Sequence, residues 1–194
     1  MEIVIILGLI FLNGILSMSE IAMVSARKSR LETAAKKGSK TAKTALRLAN
    51  EPDRFLSTIQ IGITLIGILT GLYSGEALAG DLARWLETIG IPQAHSLTLA
   101  KGIIVILVTY LTLILGELVP KHLGMNAPEK IARLIARPME VLSKIASPFV
   151  WLLSASTQAV IRLTGLHAST ENKVTEEEIK AIIQEGTEDG EIQE

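Results

Sequence analysis

Residues 97–121 read L-T-L-A-K-G-I-I-V-I-L-V-T-Y-L-T-L-I-L-G-E-L-V-P-K. From Leu97 to Leu118 this stretch has the length and apolarity of a membrane-crossing helix, which needs about 20 residues. Lys101 lies near its start, where a lysine can carry its ammonium to the interface. Glu117 lies near its end, followed by Val119, Pro120 and Lys121. Two other stretches share this character. The one from Phe55 to Tyr73 contains no charged residue. Its Gly62, Gly67 and Gly71, with Thr58, Gln60, Thr64 and Thr70, are the small and polar residues through which membrane helices approach one another. The one from Ile3 to Val24 has Glu20 as its only ionisable group after Glu2. A cleaved leader would need a basic start and a small-residue cleavage site. Here the second residue is acidic and the positive charge follows the apolar run, so the segment reads as a retained span.

Composition agrees with long apolar runs. The chain has 194 residues, enough for one domain, or one domain and a fragment. Hydrophobic residues make up 48%, near the globular average, yet charged residues are only 20% and the mean hydropathy is +0.41. There is no cysteine, which excludes a disulfide framework, cysteine-ligated metals and a cysteine nucleophile. His95, His122 and His167 are dispersed and do not form a zinc-ligand spacing. A net charge of −1 argues against a nucleic-acid binder. No nucleophile–base pair or phosphate loop is visible, so an enzyme is not expected.

Lysine and arginine distribution predicts the orientation. Nine positive residues, from Arg27 to Arg54, separate the first two spans; Arg84 and Lys101 alone lie between the second and third; Lys121, Lys130, Arg133, Arg137 and Lys144 follow the third. The expected topology is an outside N-terminus and a cytoplasmic C-terminus. Residues 26–50 are predicted to be helical, split in two by Gly38 and Ser39, with Glu51, Pro52 and Asp53 as a break before the second span. Residues 141–166 are apolar but interrupted by Lys144, Ser147, Pro148, Ser154, Gln158 and Arg162. They read as one or two amphipathic helices in the interface, divided at Pro148, rather than as a fourth span. From His167 the chain reads as a linker. Thr175 and Glu178 then form a capping box opening an acidic helix to about Gln184.

Glu20 and Glu117 are the two acids at membrane depth, and such groups are expensive there unless they do something. The plain reading is a salt bridge to a loop arginine for Glu20, and an i,i+4 pair with Lys121 for Glu117. Pro120 removes a backbone donor and clashes with the carbonyl of Gly116, so the helix is expected to kink or open there. A carboxylate beside freed carbonyls is a hard-oxygen site of the kind that suits Mg²⁺ or Ca²⁺. Asn13, Ser17 and Glu20 share one helix face, with Ser19 beside them. Gln60 and Thr64 make a second polar stripe, extended by Gly67. Such stripes either glue helices together or meet in a cation site at a helix junction.

The motifs S-M-S-E-I-A-M-V-S-A-R-K-S-R-L, F-L-S-T-I-Q-I-G-I-T-L-I-G-I-L-T-G, G-E-L-V-P-K and V-T-E-E-E-I resemble the CNNM/CorC magnesium transporter family, also called hemolysin-C-related. The resemblance covers essentially the whole chain. It implies an all-α membrane protein: a dimeric three-span domain over residues 1–166 with cytoplasmic juxtamembrane belt helices at about 26–50 and 125–166. It implies that residues 167–194 lead towards a pair of CBS modules that bind ATP–Mg²⁺. It implies Mg²⁺ as the transported ion, held dehydrated between the spans, with Na⁺ driving transport in some members. By matched position, Ser17, Ser19 and Glu117 would hold the ion, with Gly116 and Gly124 as carbonyl donors. Many members carry asparagines in the second span where this chain has Ile63 and Gly67; Thr64 or Gln60 would replace the missing oxygen. The resulting expectation is a Mg²⁺ exporter of the plasma membrane. The alternative is a membrane anchor and sensor for cytoplasmic CBS modules.

Overall fold

The computed structural model describes residues 1–164, apart from the side chain of Glu76. The expected linker, the Thr175–Glu178 capping box and the acidic helix lie outside the described residues. Among the described residues every regular element is helical. Helix α1 covers Glu2–Ser25, α2 Lys28–Lys36, α3 Lys40–Asn50, α4 Pro52–Thr88 and α5 Gln93–Leu113. A single π-helical segment, Ile114–Leu118, joins α5 to α6, Val119–Asn126, and α7 covers Pro128–Leu163. Two compact units divide the chain, the first being Met1–Leu152. Residues 153–163 continue α7 in the second unit, with exposed side chains.

Three of these helical stretches are long and apolar enough to cross a membrane: α1, α4, and the continuous path Gln93–Asn126. Apolar side chains cover the outside of these helices, and a few polar ones are buried between them. Val4, Leu7 and Phe11 of α1 are exposed, as are Leu65, Ile68 and Leu72 of α4 and Val105, Ile106 and Tyr110 of α5. Asn13, Ser17, Ser19, Thr58, Thr70 and Ser74 are buried. Lipid tails are as apolar as leucine, so leucine gains little by turning inward, whereas a hydroxyl or amide must find a partner inside the bundle.

The second span runs further than expected. α4 has 37 residues, and the connection to α5 shrinks to Ile89–Pro92. Gly90 supplies the reversal with φ of 98°, which a Cβ-bearing residue rarely adopts. The Ile91 N–H reaches back to the Leu86 carbonyl at 3.2 Å, a helix-ending pattern that satisfies an orphan carbonyl. Ser96 Oγ donates to Glu87 Oε1 at 2.7 Å across this turn. Ala79 and Ala83 of α4 and Ala100 of α5 are buried.

Gly38 and Ser39 split α2 from α3 as predicted. Gly38 has φ of 90°, and Ser39 Oγ caps α3 by accepting from the Ala42 N–H at 3.2 Å. These helices, the start of α4 and the first turns of α7 form one core containing Leu31, Ala45, Leu48, Phe55, Ile59, Ala136 and Met139. Arg30–Glu129 and Arg47–Glu140 ion pairs tie α7 to α2 and α3, and Ser143 accepts from Thr58 of α4. The expected division at Pro148 does not occur: α7 runs unbroken through Pro138 and Pro148. Both prolines are exposed, while Ala132, Ile135, Ala136, Met139, Ser143, Ala146 and Val150 make a continuous buried stripe. Packing along that stripe offsets the two lost backbone bonds.

Glycines set the closest approach between α1 and the third span. A methyl at Gly124 would lie 2.8 Å from the Met18 carbonyl and 2.3 Å from Ile21 Cγ2. A methyl at Gly14 would lie 2.9 Å from Pro120 Cγ. Gly8, on the same helix as Gly14, faces open space. Gly124→Ala is therefore expected to cost about 1–3 kcal/mol by overpacking, while Gly8→Ala is neutral or slightly stabilising. Thermal unfolding in detergent, followed by circular dichroism, checks the contrast; equal midpoints would refute it.

Candidate cation site at the helix break

The contacts of α1 with the third span run in register. Gly116 lies against Ile10 and Asn13, Pro120 against Gly14, and Gly124 against Met18 and Ala22. Both residue numbers rise together, so the two helices are parallel, as the first and third of three crossings must be. Asn13 is near the middle of α1, about 17 Å from either end at 1.5 Å per residue.

Pro120 decides the local backbone. Having no N–H, it cannot serve the Gly116 carbonyl, and its ring would clash with that carbonyl in a regular helix. The chain widens into the π segment, with the Val119 N–H reaching the Ile114 carbonyl. Such one-turn bulges often occur at functional positions. The freed Gly116 carbonyl accepts a hydrogen bond of 3.0 Å from Asn13 Nδ2. An unpaired carbonyl at this depth would be costly. Asn13 supplies the missing donor from another helix.

That bond fixes the amide and leaves its other end without a partner. Asn13 Oδ1 is buried and makes no hydrogen bond, and neither does Ser17 Oγ one turn further along α1. The two residues are 5% and 1% exposed. Buried polar atoms are nearly always paired, so two lone-pair oxygens on one helix face call for an explanation. Ser19 differs: its hydroxyl donates to the Ile15 carbonyl at 2.6 Å. Beyond Ser17 lies a charged cluster. Lys121 Nζ is 2.8 Å from Glu117 Oε1 and 3.8 Å from Glu20 Oε2. The i,i+4 pair expected for Glu117 is present, and Glu20 meets this same lysine rather than a loop arginine. All three side chains are partly accessible, at 33%, 29% and 40% for Lys121, Glu20 and Glu117.

The second span contributes differently from expectation. Gln60, Thr64 and Gly67 are exposed. The α4 face on α1 is apolar: a methyl at Gly62 would lie 2.7 Å from Leu16 Cδ1, and Ile59 and Ile66 are buried beside it. The groove that Gly62 opens for Leu16 orients α4 and turns its polar stripe away. Gly124 serves close packing. Gly116 acts through its carbonyl, as the acceptor for Asn13. Among the described residues, no group of three His, Asp or Glu side chains is placed to hold a metal. A cation at this junction would meet hydroxyl, amide and carbonyl oxygens, with carboxylates at the margin. Sequence reasoning placed Asn13 on the right face but gave it no partner, since its bond crosses 103 positions.

Asn13→Ala removes the donor and leaves the Gly116 carbonyl unpaired, which costs about 1–3 kcal/mol. The expected result is a lower unfolding temperature and faster amide exchange over residues 114–124, read by hydrogen–deuterium exchange mass spectrometry. Unchanged exchange there would show that the bond does not hold the bulge.

The Cyclin M transmembrane N-terminal domain family matches residues 4–194. A UPF0053 protein of Synechocystis sp. is 46% identical over 194 residues, which is 100% of this chain and 43% of the relative. The UPF0053 protein YhdT of Bacillus subtilis is 32% identical over 95% of this chain and 40% of its own length. The polyamine export protein of Escherichia coli is 29% identical over 95% of this chain and 41% of its own length. The chain thus spans about two fifths of the length of these relatives. Three helices long and apolar enough to cross a membrane agree with this match, and the chain belongs to the CNNM family of membrane proteins, whose transmembrane domain it carries.

Proposed function

We propose that this domain moves Mg²⁺ across the plasma membrane, as an exporter, through the junction between α1 and the π segment. The observation carrying this reading is the pair of partnerless buried oxygens, Asn13 Oδ1 and Ser17 Oγ, one turn apart beside a helix break. Mg²⁺ takes oxygen ligands at about 2.1 Å in a near-octahedral set. Ser17 and the Asn13 carbonyl oxygen would supply two, Glu117 and Glu20 would neutralise charge at the entrance, and water would complete the shell where the second span offers no oxygen. Ser19 would support α1 rather than bind the ion. Alternating access would come from movement of α1 against the third span at the π segment, the broken-helix logic of other carriers. Homodimerisation, a cytoplasmic C-terminus, belt helices in the interface, Na⁺ coupling and ATP–Mg²⁺ binding by a following CBS pair belong to this proposal. No chemical step is assigned to the domain.

A second reading has its own support. Lys121 places an alkylammonium between two carboxylates, which is how a protonated amine would be held, and the Escherichia coli relative is named a polyamine export protein. In this reading the cargo is an organic polycation and the carboxylates, not Ser17, choose it.

Flux in proteoliposomes carrying the full-length protein separates the readings. Under the first, Mg²⁺ moves, Glu117→Ala abolishes movement, and Ser17→Ala lowers it about tenfold or more, since even outer-shell partners of a metal are worth about 10–100-fold in affinity. Spermidine flux that needs Glu117 but not Ser17 would favour the second. Absence of either flux under both gradients would leave the anchor and sensor reading.

A further inference from the structure

Lys121 sits where an incoming cation would pass, and its position can be read as more than a clamp. It follows Pro120 directly, and the turn after the π segment carries its ammonium to Glu117 at 2.8 Å on its own strand of helix and to Glu20 at 3.8 Å on α1. One positive charge is therefore shared by two carboxylates, leaving a surplus of one negative charge. About one and two turns further into α1 lie the two partnerless oxygens, of Ser17 and Asn13. The group is about one-third accessible, so small ions can reach it.

We propose that Lys121 is a tethered competitor that sets the charge threshold of the site: it holds the Glu20–Glu117 pair against monovalent cations and yields it to a cation of charge two or more. This rests on the cation-site reading above and adds a residue that determines its selectivity. A tethered group competes at an effective concentration of about millimolar or higher, whatever the bulk holds. A sodium or potassium ion offers the same single charge as the ammonium, has no tether, and must first shed water. A divalent cation has twice the Coulomb attraction for both carboxylates. The lysine thus removes the advantage of monovalent ions, which outnumber divalent ones, and leaves that of charge. Its own ammonium needs somewhere to go on release, and its partial exposure allows it to turn to solvent.

The test is Mg²⁺ titration of the full-length protein by calorimetry at low and at about 0.1 M Na⁺, with ionic strength held by a bulky organic cation. The wild type is expected to show a Mg²⁺ Kd nearly independent of Na⁺. Lys121→Gln is expected to bind Mg²⁺ about tenfold or more tightly at low Na⁺ and to lose most of that gain at high Na⁺; Lys121→Arg should keep wild-type behaviour. Glu20→Gln approaches the balance from the other side and is informative even if Lys121→Gln does not fold. One carboxylate against one ammonium leaves no surplus, and Mg²⁺ binding should weaken about tenfold. A Lys121→Gln protein with wild-type affinity and no Na⁺ sensitivity, in which Glu117→Gln still abolishes binding, overturns the inference and makes Lys121 a structural clamp. Mg²⁺ binding that survives Glu117→Gln overturns the site reading itself, and the inference with it.

Discussion

A single missing hydrogen governs the centre of this domain. Pro120 has no N–H to offer the Gly116 carbonyl, and at membrane depth no water stands in for it. The chain meets the deficit in two ways. The helix widens by one residue into a π turn, and Asn13 donates from α1. This bond positions the polar face of α1 against the third span. The Asn13 amide spends a donor on the backbone, and its acceptor oxygen, Oδ1, is buried without a hydrogen-bond partner.

The surrounding architecture lets two helices come close enough for that bond. Gly14, Gly116 and Gly124 remove side chains where backbones touch, and Gly62 does the same for Leu16 between α1 and α4. In a membrane, attraction between helices depends on such contact and on interhelical hydrogen bonds. α2, α3 and the early turns of α7 share one conventionally apolar core with Leu16 and Met23 of α1 and Phe55, Ile59 and Ile66 of α4, with ion pairs along its rim. Exposed pairs such as Arg30–Glu129 contribute little individually. They place α7 against α2 and α3 rather than stabilise it.

Much of this was legible in the residue pattern. Three spans followed from apolar runs, the α2–α3 break from Gly38–Ser39, and a disturbed helix from Gly116 and Pro120. The partnership of Asn13 with Gly116 was not, because neither residue signals the other across 103 positions. The outward turn of Gln60 and Thr64 was equally hidden. Their i,i+4 spacing says they share a face but not which way it points, and that is decided by where Leu16 finds room at Gly62. The unbroken α7 shows the same limit, since proline's local cost is visible in sequence while the packing that offsets it is not.

The sequence by itself determined that this chain builds a three-span helical membrane domain with acids near one end and a proline break in the third span. Those properties depend on local composition, on the fixed length needed to cross a bilayer, and on proline's missing donor. Tertiary structure alone decided which oxygens remain unpaired, which lysine meets which carboxylates, and which stripe of α4 faces inward. Each depends on how two helices rotate about their axes when they touch. That rotation is set by the fit of a few small and large side chains, Gly62 on Leu16 and Gly124 on Met18 and Ile21, rather than by any periodicity within one helix.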